Sequence, residues 1–360
     1  MKIAIIGLSN SGKTTVFNAL TKGTVETAVF SSGRLEPNLA RVKVPDPRLE
    51  VLAGIYKPHK MTEAEVQYVD IGGLSANEDR NKELSAELLK AIGTADAVLH
   101  VVRSFDDDEV SHPLISIDPQ RDLSAVEMEL IFSDLVVIER RLERIEKDLR
   151  RLSGQERNLC ISERELLLRL KTVLEKENPI VDIDLSQQEE KMIRGYNFLS
   201  MKPVLVVVNI DENQNFDLQS IRSNYKKSIA LPLNAKLEAE LTQLDDADAD
   251  EFMEALGIQE PARHLIITSS YALLGLISFF TVGEDEVRAW TIRQGTPAVE
   301  AGGVIHSDIQ RGFIRAEVIS FSDFDQAGGM VAAKKQGLVR IEGKEYTLQD
   351  GDISHFLFNV

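Results

Sequence analysis

Between the apolar run Lys2-Ile3-Ala4-Ile5-Ile6 and the helix-forming run Thr15-Val16-Phe17-Asn18-Ala19-Leu20 lies Gly7-Leu8-Ser9-Asn10-Ser11-Gly12-Lys13-Thr14, a G-x-x-x-x-G-K-T loop. A glycine-rich turn in that setting lets successive backbone N–H groups face one centre, at the positive end of the following helix. It is the signature of a phosphate loop. Lys13 would reach the outer phosphates of a nucleotide, Thr14 would offer a hydroxyl to Mg²⁺, and Ser11, Gly12 and Thr15 would complete the cradle. Val16, Phe17 and Leu20 fall on one helical face and anchor the loop.

A phosphate loop does not specify the base or the reaction, so the later strands must supply partner motifs. Asp70-Ile71-Gly72-Gly73 closes the apolar stretch Val66-Gln67-Tyr68-Val69 and matches D-x-x-G. In phosphate-loop enzymes this aspartate holds Mg²⁺ through water and the glycine senses the terminal phosphate. Asn209-Ile210-Asp211-Glu212 ends Val204-Leu205-Val206-Val207-Val208, where GTPases carry N-K-x-D. Glu212 in the last position displaces the carboxylate that would pair with guanine. Adenine offers an exocyclic N–H instead, for which the Asn209 amide oxygen or a nearby backbone carbonyl is a suitable acceptor. Asn234-Ala235-Lys236 stands where GTPases place S-A-K beside the base.

The remaining patterns divide the chain. Its 360 residues exceed one ordinary domain. Alternating strands and helices predict a mostly parallel α/β nucleotide domain, helices on both faces, over residues 1–120 and 185–277, with strands at Ala97–Val102 and Leu265–Ser269 and a helix over Lys82–Ile92. From about residue 121, Leu135, Ile138, Leu142, Ile145, Leu149 and Leu152 recur at steps of three and four, followed past Gly154 by Leu159, Leu166, Leu170 and Val173. This predicts an inserted antiparallel helical hairpin over 121–184, with one long core helix as the alternative. The acidic stretch Leu237–Leu256 reads as a solvated helix pair. Residues 278–360 read as a separate small α+β domain of short strands and Gly-rich turns.

Charge and cysteine content narrow the partners. A formal net charge of −17 argues against a globally electrostatic nucleic-acid binder and against DNA, and confines RNA contact to a local basic face. Arg140, Arg141, Arg144, Lys147, Arg150 and Arg151 crowd one helix of the hairpin, either as a solvated face with i,i+4 ion pairs or as a contact for RNA phosphates. The single Cys160 fits a reducing compartment, and no run approaches the roughly 18 apolar residues of a membrane span. A soluble, cytoplasmic protein without a membrane partner is expected.

With these motifs in order, the chain resembles the YchF family of Obg-like ATPases over essentially its whole length. The shared features are the phosphate loop with Asn10, the D-x-x-G motif, His100-Val101-Val102-Arg103-Ser104-Phe105 with His112, the hairpin, and Asn209 with Glu212. The C-terminal runs Glu284–Ile292, Gly303–His306, Gly312–Val318 and Gln349–Asp352 resemble that family's TGS domain, which has a β-grasp-like fold. The resemblance implies a Mg²⁺-dependent nucleoside triphosphatase that prefers ATP to GTP, contacts ribosomal RNA through the hairpin and TGS domain, and regulates translation or a stress response. It also implies that Lys13 and Asn10 serve catalysis, that Thr14 and Asp70 hold the metal, and that Ser11, Gly12, Thr15, Gly73, Asn209, Ile210, Glu212, Asn234, Ala235 and Lys236 surround the nucleotide. Asn10 matches an asparagine that in K⁺-dependent relatives helps hold a monovalent cation; a plain loop hydrogen bond is the alternative.

Leu74 stands where small GTPases place the glutamine that orients attacking water, and a leucine can do no such thing. Two loops depart from the family pattern. Phe30-Ser31-Ser32-Gly33-Arg34-Leu35-Glu36-Pro37-Asn38 puts Arg34 where the family has a threonine, as a charge for the γ-phosphate in cis or as a solvated loop arginine. Ser75–Glu83 lacks the family's glycines and lysines, predicting a stiffer, more acidic segment. Nucleotide binding is therefore expected to be retained and hydrolysis to be slow.

Overall fold

The computed structural model describes residues 1–21, 38–71, 86–212 and 216–359. Along the chain run β1 (Lys2–Ile6), α1 (Lys13–Thr21), β2 (Asn38–Lys43), α2 (Pro47–Tyr56), β3 (Lys60–Thr62) and β4 (Glu65–Asp70). There follow α3 (Ala86–Gly93), β5 (Ala97–Arg103), α4 (Pro119–Asp148), α5 (Gly154–Leu174), α6 (Gln187–Ile193), β6 (Val204–Asn209), β7 (Ile229–Leu233), α7 (Ala235–Leu241), α8 (Asp246–Leu256) and α9 (Ala262–Leu273). The C-terminal part adds β8 (Leu276–Thr281), β9 (Glu286–Arg293), α10 (Ala298–Ile305), α11 (Ser307–Gly312), β10 (Phe313–Ser320), α12 (Phe321–Ala327), α13 (Met330–Lys335), β11 (Arg340–Glu342) and β12 (Asp352–Phe358).

Two compact units result, Met1–Arg41 with Gln67–Ile266, and Val42–Val66 with Ile267–Val360. The first contains a six-stranded sheet in the order β2-β4-β1-β5-β6-β7. β1 runs parallel to β4 and β5, and β6 parallel to β5 and β7. Every residue of β5 and β6 is buried, which is why these strands read as continuous apolar runs rather than alternating ones. A parallel sheet places the turns after β1, β4, β5 and β6 at one edge, and those turns carry the sequence motifs.

α4 joins two cores. Asp118 caps it, accepting from the Arg121 N–H, and Pro119 occupies its first turn. Its early residues Leu123, Val126 and Leu130 pack on the sheet core with Ile6, Val98 and Val206. Its later residues Ile131, Ile138 and Ile145 pack on α5 through Cys160, Leu166, Leu167, Leu170 and Leu174. The hairpin is thus present, but the helix that carries it is rooted in the nucleotide unit for its first three turns. On α5 the expected Leu166 and Leu170 are buried, but at the N-terminal end Leu159 is 58% exposed while its neighbour Cys160 is 6% exposed, and Leu167 and Leu174 complete the buried face. Arg141–Glu163, Arg164–Glu146 and Lys171–Glu139 cross between the helices at 2.6–2.8 Å, fixing their antiparallel register.

The stretch Leu265–Ser269, expected as a strand, lies in α9. Its buried residues Arg263, Ile266, Ile267, Ser270 and Tyr271 keep a helical period that the short β-branched run conceals. The helix start is fixed by Glu238, whose carboxylate accepts from Ala262 N at 2.6 Å and pairs with Arg263 at 3.2 Å.

The second unit has a mixed sheet in the order β11-β10-β12-β8-β9-β3. β8 and β9 form an antiparallel pair, and β12 returns parallel to β8 after α10 has packed on the face made by Phe279, Ile292, Phe313, Ala316 and Phe356. A hairpin, a helix and a returning parallel strand thus make up the core of this C-terminal unit. Trp290 and Phe313 serve this core. The unit is larger than the expected 278–360, because α2 and β3 belong to it. β3 pairs with β9, Tyr56 stacks on Phe324 at 6.1 Å, and Arg48 bridges Asp46 at 2.8 Å and Asp350 at 2.7 Å. Tertiary contacts such as these, absent from local sequence pattern, recruit residues 42–66.

Asp134, midway along α4, accepts from Leu199 N at 2.8 Å, Ser200 N at 2.8 Å and Ser200 Oγ at 2.6 Å. Burial outweighs these bonds and pushes its pKa up to about 6. A raised folded-state value means that the protonated form is favoured in the fold, so this contribution is complete below the unfolded value and is lost as pH rises through about 6. Asp134→Ala should cost about 1–3 kcal/mol near pH 7 by orphaning the three donors. The gap to wild type should widen by about 2–3 kcal/mol between pH 7 and pH 4, read by urea unfolding across that range. A gap independent of pH would show that the Asp134 pKa is not raised.

Candidate functional site

The phosphate loop leaves β1 through Gly7, whose φ of +148° and position against the Val101 carbonyl exclude a side chain: a Cβ there would stand 2.3 Å from that oxygen. Asn10 follows at φ +62° and Gly12 at φ +91°. A Cβ on Gly12 would lie 2.2 Å from Asn209 Nδ2. The loop therefore closes only because the two glycines accept this backbone. Helix α1 begins at Lys13, with Val16 N bonded to Gly12 O at 2.9 Å, and its N-terminal end faces the loop's centre.

Lys13 folds over the loop and donates to Gly7 O at 3.1 Å and Leu8 O at 2.8 Å. Burial lowers its pKa, against a smaller opposing effect of Asp70. His100 lies buried on β5, and burial, then the charge of Lys13, depress its pKa to about 3. The ring is neutral at neutral pH, so no second positive charge competes with Lys13. Thr14 Oγ1 donates to Asp70 Oδ2 at 2.9 Å. A hydroxyl and a carboxylate in contact at the mouth of a phosphate loop are hard oxygen donors and suit Mg²⁺, which takes few protein ligands and relies on phosphate and water for the rest. Among the described residues no cluster of three or more His, Cys, Asp or Glu could form a dedicated metal cage.

A cavity of about 980 Å³ opens over this loop. Asn10, Gly12, Lys13, Thr14 and Thr15 line one end, and Ile210, Glu212, Asn234 and Lys236 the other. Asn209 holds the ends together. It is 5% exposed, its Nδ2 donates to Ser11 O at 3.1 Å, and its Oδ1 accepts from Ala235 N at 3.2 Å. The strut uses one Nδ2 hydrogen and one Oδ1 lone pair, so a second hydrogen and a second lone pair remain on a residue that also lines the cavity. Ser11 and Ala235 act through that strut rather than by lining the cavity. Asn234 caps α7 through its side chain, accepting from Leu237 N at 3.0 Å. Asn10 donates from Nδ2 to Ser111 O at 2.9 Å, the plain loop bond weighed against a cation role. Arg34, Gly73, Leu74 and the segments Phe30–Pro37 and Ser75–Glu83 lie outside the described residues.

Sequence reasoning missed one wall of the cavity. Phe105, Asp106, Asp107 and Val110 line it directly after β5. The signal available was their position at the carboxyl end of a strand adjacent to β1, where parallel sheets bind ligands.

Residues 2–134 match the family model described as "50S ribosome-binding GTPase", and residues 276–359 match the YchF-GTPase C-terminal model, described as a protein of unknown function. The chain is 41% identical over 364 aligned positions to the "Ribosome-binding ATPase YchF" of Pasteurella multocida, spanning 100% of this chain and 99% of that one. The chain belongs to the YchF family. The Bacillus subtilis YchF is 38% identical over 99% of this chain and 98% of its own. The solved structure of the Schizosaccharomyces pombe YchF GTPase superposes with a TM-score of 0.86 at 32% identity, covering 99% of this chain and 97% of that one. The YchF fold, a phosphate-loop GTPase domain with helical hairpin and C-terminal domain, is therefore the fold of this chain. No helix among its described residues is long and apolar enough to cross a membrane.

Asn209→Ala removes both bonds of the strut. The expected outcome is a loss of about 1–3 kcal/mol in thermal or urea unfolding, with nucleotide affinity falling by about tenfold or more in a fluorescent-nucleotide titration. Wild-type affinity in the variant would show that the strut does not shape the site.

Proposed function

We propose that this YchF protein is a Mg²⁺-dependent nucleoside triphosphatase of the cytosol that prefers ATP to GTP, turns over slowly on its own, and acts at the ribosome as a regulator of translation or of a stress response. The observation that carries the reading is the phosphate loop with the Thr14–Asp70 pair at the mouth of the 980 Å³ cavity. The triphosphate oxygens are better acceptors for Lys13 than the Gly7 and Leu8 carbonyls, because the bond becomes charge-assisted on both sides. Lys13, the loop amides and the N-terminal end of α1 together stabilise charge on the transferring phosphoryl group. Thr14 and Asp70 would hold Mg²⁺, which supplies charge neutralisation at the β- and γ-phosphate oxygens.

Base choice falls to the remaining amide donor and acceptor of Asn209 and to the backbone and side chains of 210–212 and 234–236. Glu212, longer by one methylene than the aspartate that grips guanine, supports adenine. Leu74 supports a low intrinsic rate. Asn10 lines the phosphate-loop end of the cavity, and a K⁺ held there is a further expectation. If K⁺ does assist turnover, exchanging it for Na⁺ should lower the rate; an unchanged rate ends that idea.

Ribosome contact is supported by the names of the relatives and by the hairpin. Of the six basic side chains from Arg140 to Arg151, Arg141 is ion-paired, to Glu163 and Asp148, while Arg140, Arg144, Lys147, Arg150 and Arg151 are exposed. Such a surface suits phosphates of ribosomal RNA. The TGS-like C-terminal unit would add a second contact. Charge reversal at Arg144, Lys147 and Arg150 should weaken ribosome binding by about tenfold or more and flatten its salt dependence in co-sedimentation, leaving ATP affinity unaltered. Equal binding by this variant would remove the hairpin from the contact.

A second reading, a nucleotide-gated ribosome-binding module with negligible hydrolysis, draws on the two divergent loops of the sequence. Paired ATP and GTP titrations decide the base, with tighter ATP binding expected. Single-turnover assays with and without ribosomes separate the readings. Phosphate release that Lys13→Ala abolishes supports the enzyme; no release in either condition favours the module.

A further inference from the structure

The cavity wall contributed by residues 104–110 contains no basic side chain, yet a buried arginine organises it. Arg103, the last residue of β5, is 2% exposed. Its Nε donates to Phe105 O at 3.1 Å, and its guanidinium nitrogens donate to Val110 O at 2.9 Å and Asp107 O at 3.4 Å. The guanidinium carbon lies 4.3 Å from the centroid of the Phe105 ring. Among the described residues no carboxylate comes within ion-pair distance of it. A buried charge satisfied by main-chain carbonyls alone is costly to desolvate, so its fork of donors must be matched by one backbone conformation. That conformation is the wall.

The wall is tied at both ends to the rest of the site. Ser104 N and Phe105 N donate to Asn209 O at 2.8 and 3.1 Å, and Asp106 N donates to Asp211 Oδ2 at 3.0 Å. Beyond Val110, Ser111 O accepts from Asn10 of the phosphate loop. The wall's own side chains are one aromatic ring, two exposed carboxylates and a valine. Carboxylates repel a triphosphate but accept from sugar hydroxyls, and an aromatic face packs on a base. The chemistry of the wall therefore suits the nucleoside, whereas the phosphate loop suits the phosphates.

We propose that Arg103 is a positioning residue for the nucleoside half of the ligand, holding Phe105 and the 105–110 backbone against the base and ribose without touching either. The inference rests on the reading of this cavity as a nucleotide site. Lysine cannot replace Arg103, because a single ammonium group cannot reach three carbonyls in a planar fork.

Amide hydrogen exchange and affinity measurements on the full chain test this, with Mg-ATP and Mg-tripolyphosphate as probes. In wild type, ATP should slow exchange at Ser104, Phe105, Asp106 and Val110, whereas tripolyphosphate should slow it only around the phosphate loop. Arg103→Lys and Arg103→Gln should speed exchange at the same four amides while α1 and β5 stay protected. Both variants should lose about tenfold or more in ATP affinity, with KM raised by a similar factor and kcat changed by less than about threefold, and tripolyphosphate binding should change by less than about twofold. A variant that binds ATP like wild type, or that loses tripolyphosphate and ATP by the same factor, overturns the proposal. So does a wild-type wall that tripolyphosphate protects as fully as ATP does, a result that does not depend on the variants folding. Wild-type protein that binds neither ATP nor GTP overturns the nucleotide reading itself, and this one with it.

Discussion

One side-chain amide, that of Asn209, fixes the geometry on which the site depends. Its two polar ends differ in kind, a donor and an acceptor, and they meet partners of the opposite kind on the loop after β1 and on the turn before α7. The backbone carbonyl of the same residue receives the first two N–H groups after β5. Three turns at one edge of the parallel sheet are thus referred to a single buried residue. Aspartate could not donate to Ser11, and leucine would leave both partners bare in a low-dielectric setting, which is why an amide is the side chain that serves here.

Charge in the site follows from the same burial. Lys13 is held by carbonyls and kept near Asp70, and the neutral His100 beneath it adds no repulsion. A site prepared for a polyanion usually carries surplus positive charge; this one concentrates it in one ammonium and a row of N–H dipoles, while the flanking wall is acidic. A distribution of that form separates the two halves of a nucleotide by chemistry as well as by shape.

The motifs legible in the sequence were those whose residues are contiguous: Gly7 to Thr14 with its flanking strand and helix, Asp70 at a strand end, Asn209 at another, and the two helical seams. Sequence spacing also located the acidic pair α7 and α8. Legibility failed where a residue's role is set by distant partners. The strut role of Asn209 was not legible, because Ser11 and Ala235 as its partners are visible only in space. Leu159 and Cys160 exchanged places since a seam's phase depends on the facing helix. The 265–269 run was mistaken for a strand because five residues are too few to tell a buried strand from one turn of a buried helix. Apart from Phe105, which ends the run His100 to Phe105, the wall to Val110 carries no motif and follows from topology.

The membership of α2 and β3 in the second unit carries a consequence for how that unit could have been acquired or could be lost. A domain appended at a chain's end can be removed by one stop codon, leaving the rest intact. Here the stop would delete β8 to β12 but leave the 42–66 segment, with Leu49 and Leu52 stripped of the sheet that buries them and Arg48 without Asp350. Such a remnant exposes apolar surface in the middle of the surviving polypeptide. Removing the second unit cleanly therefore takes two excisions, one of residues 42–66 and one of the C-terminal segment.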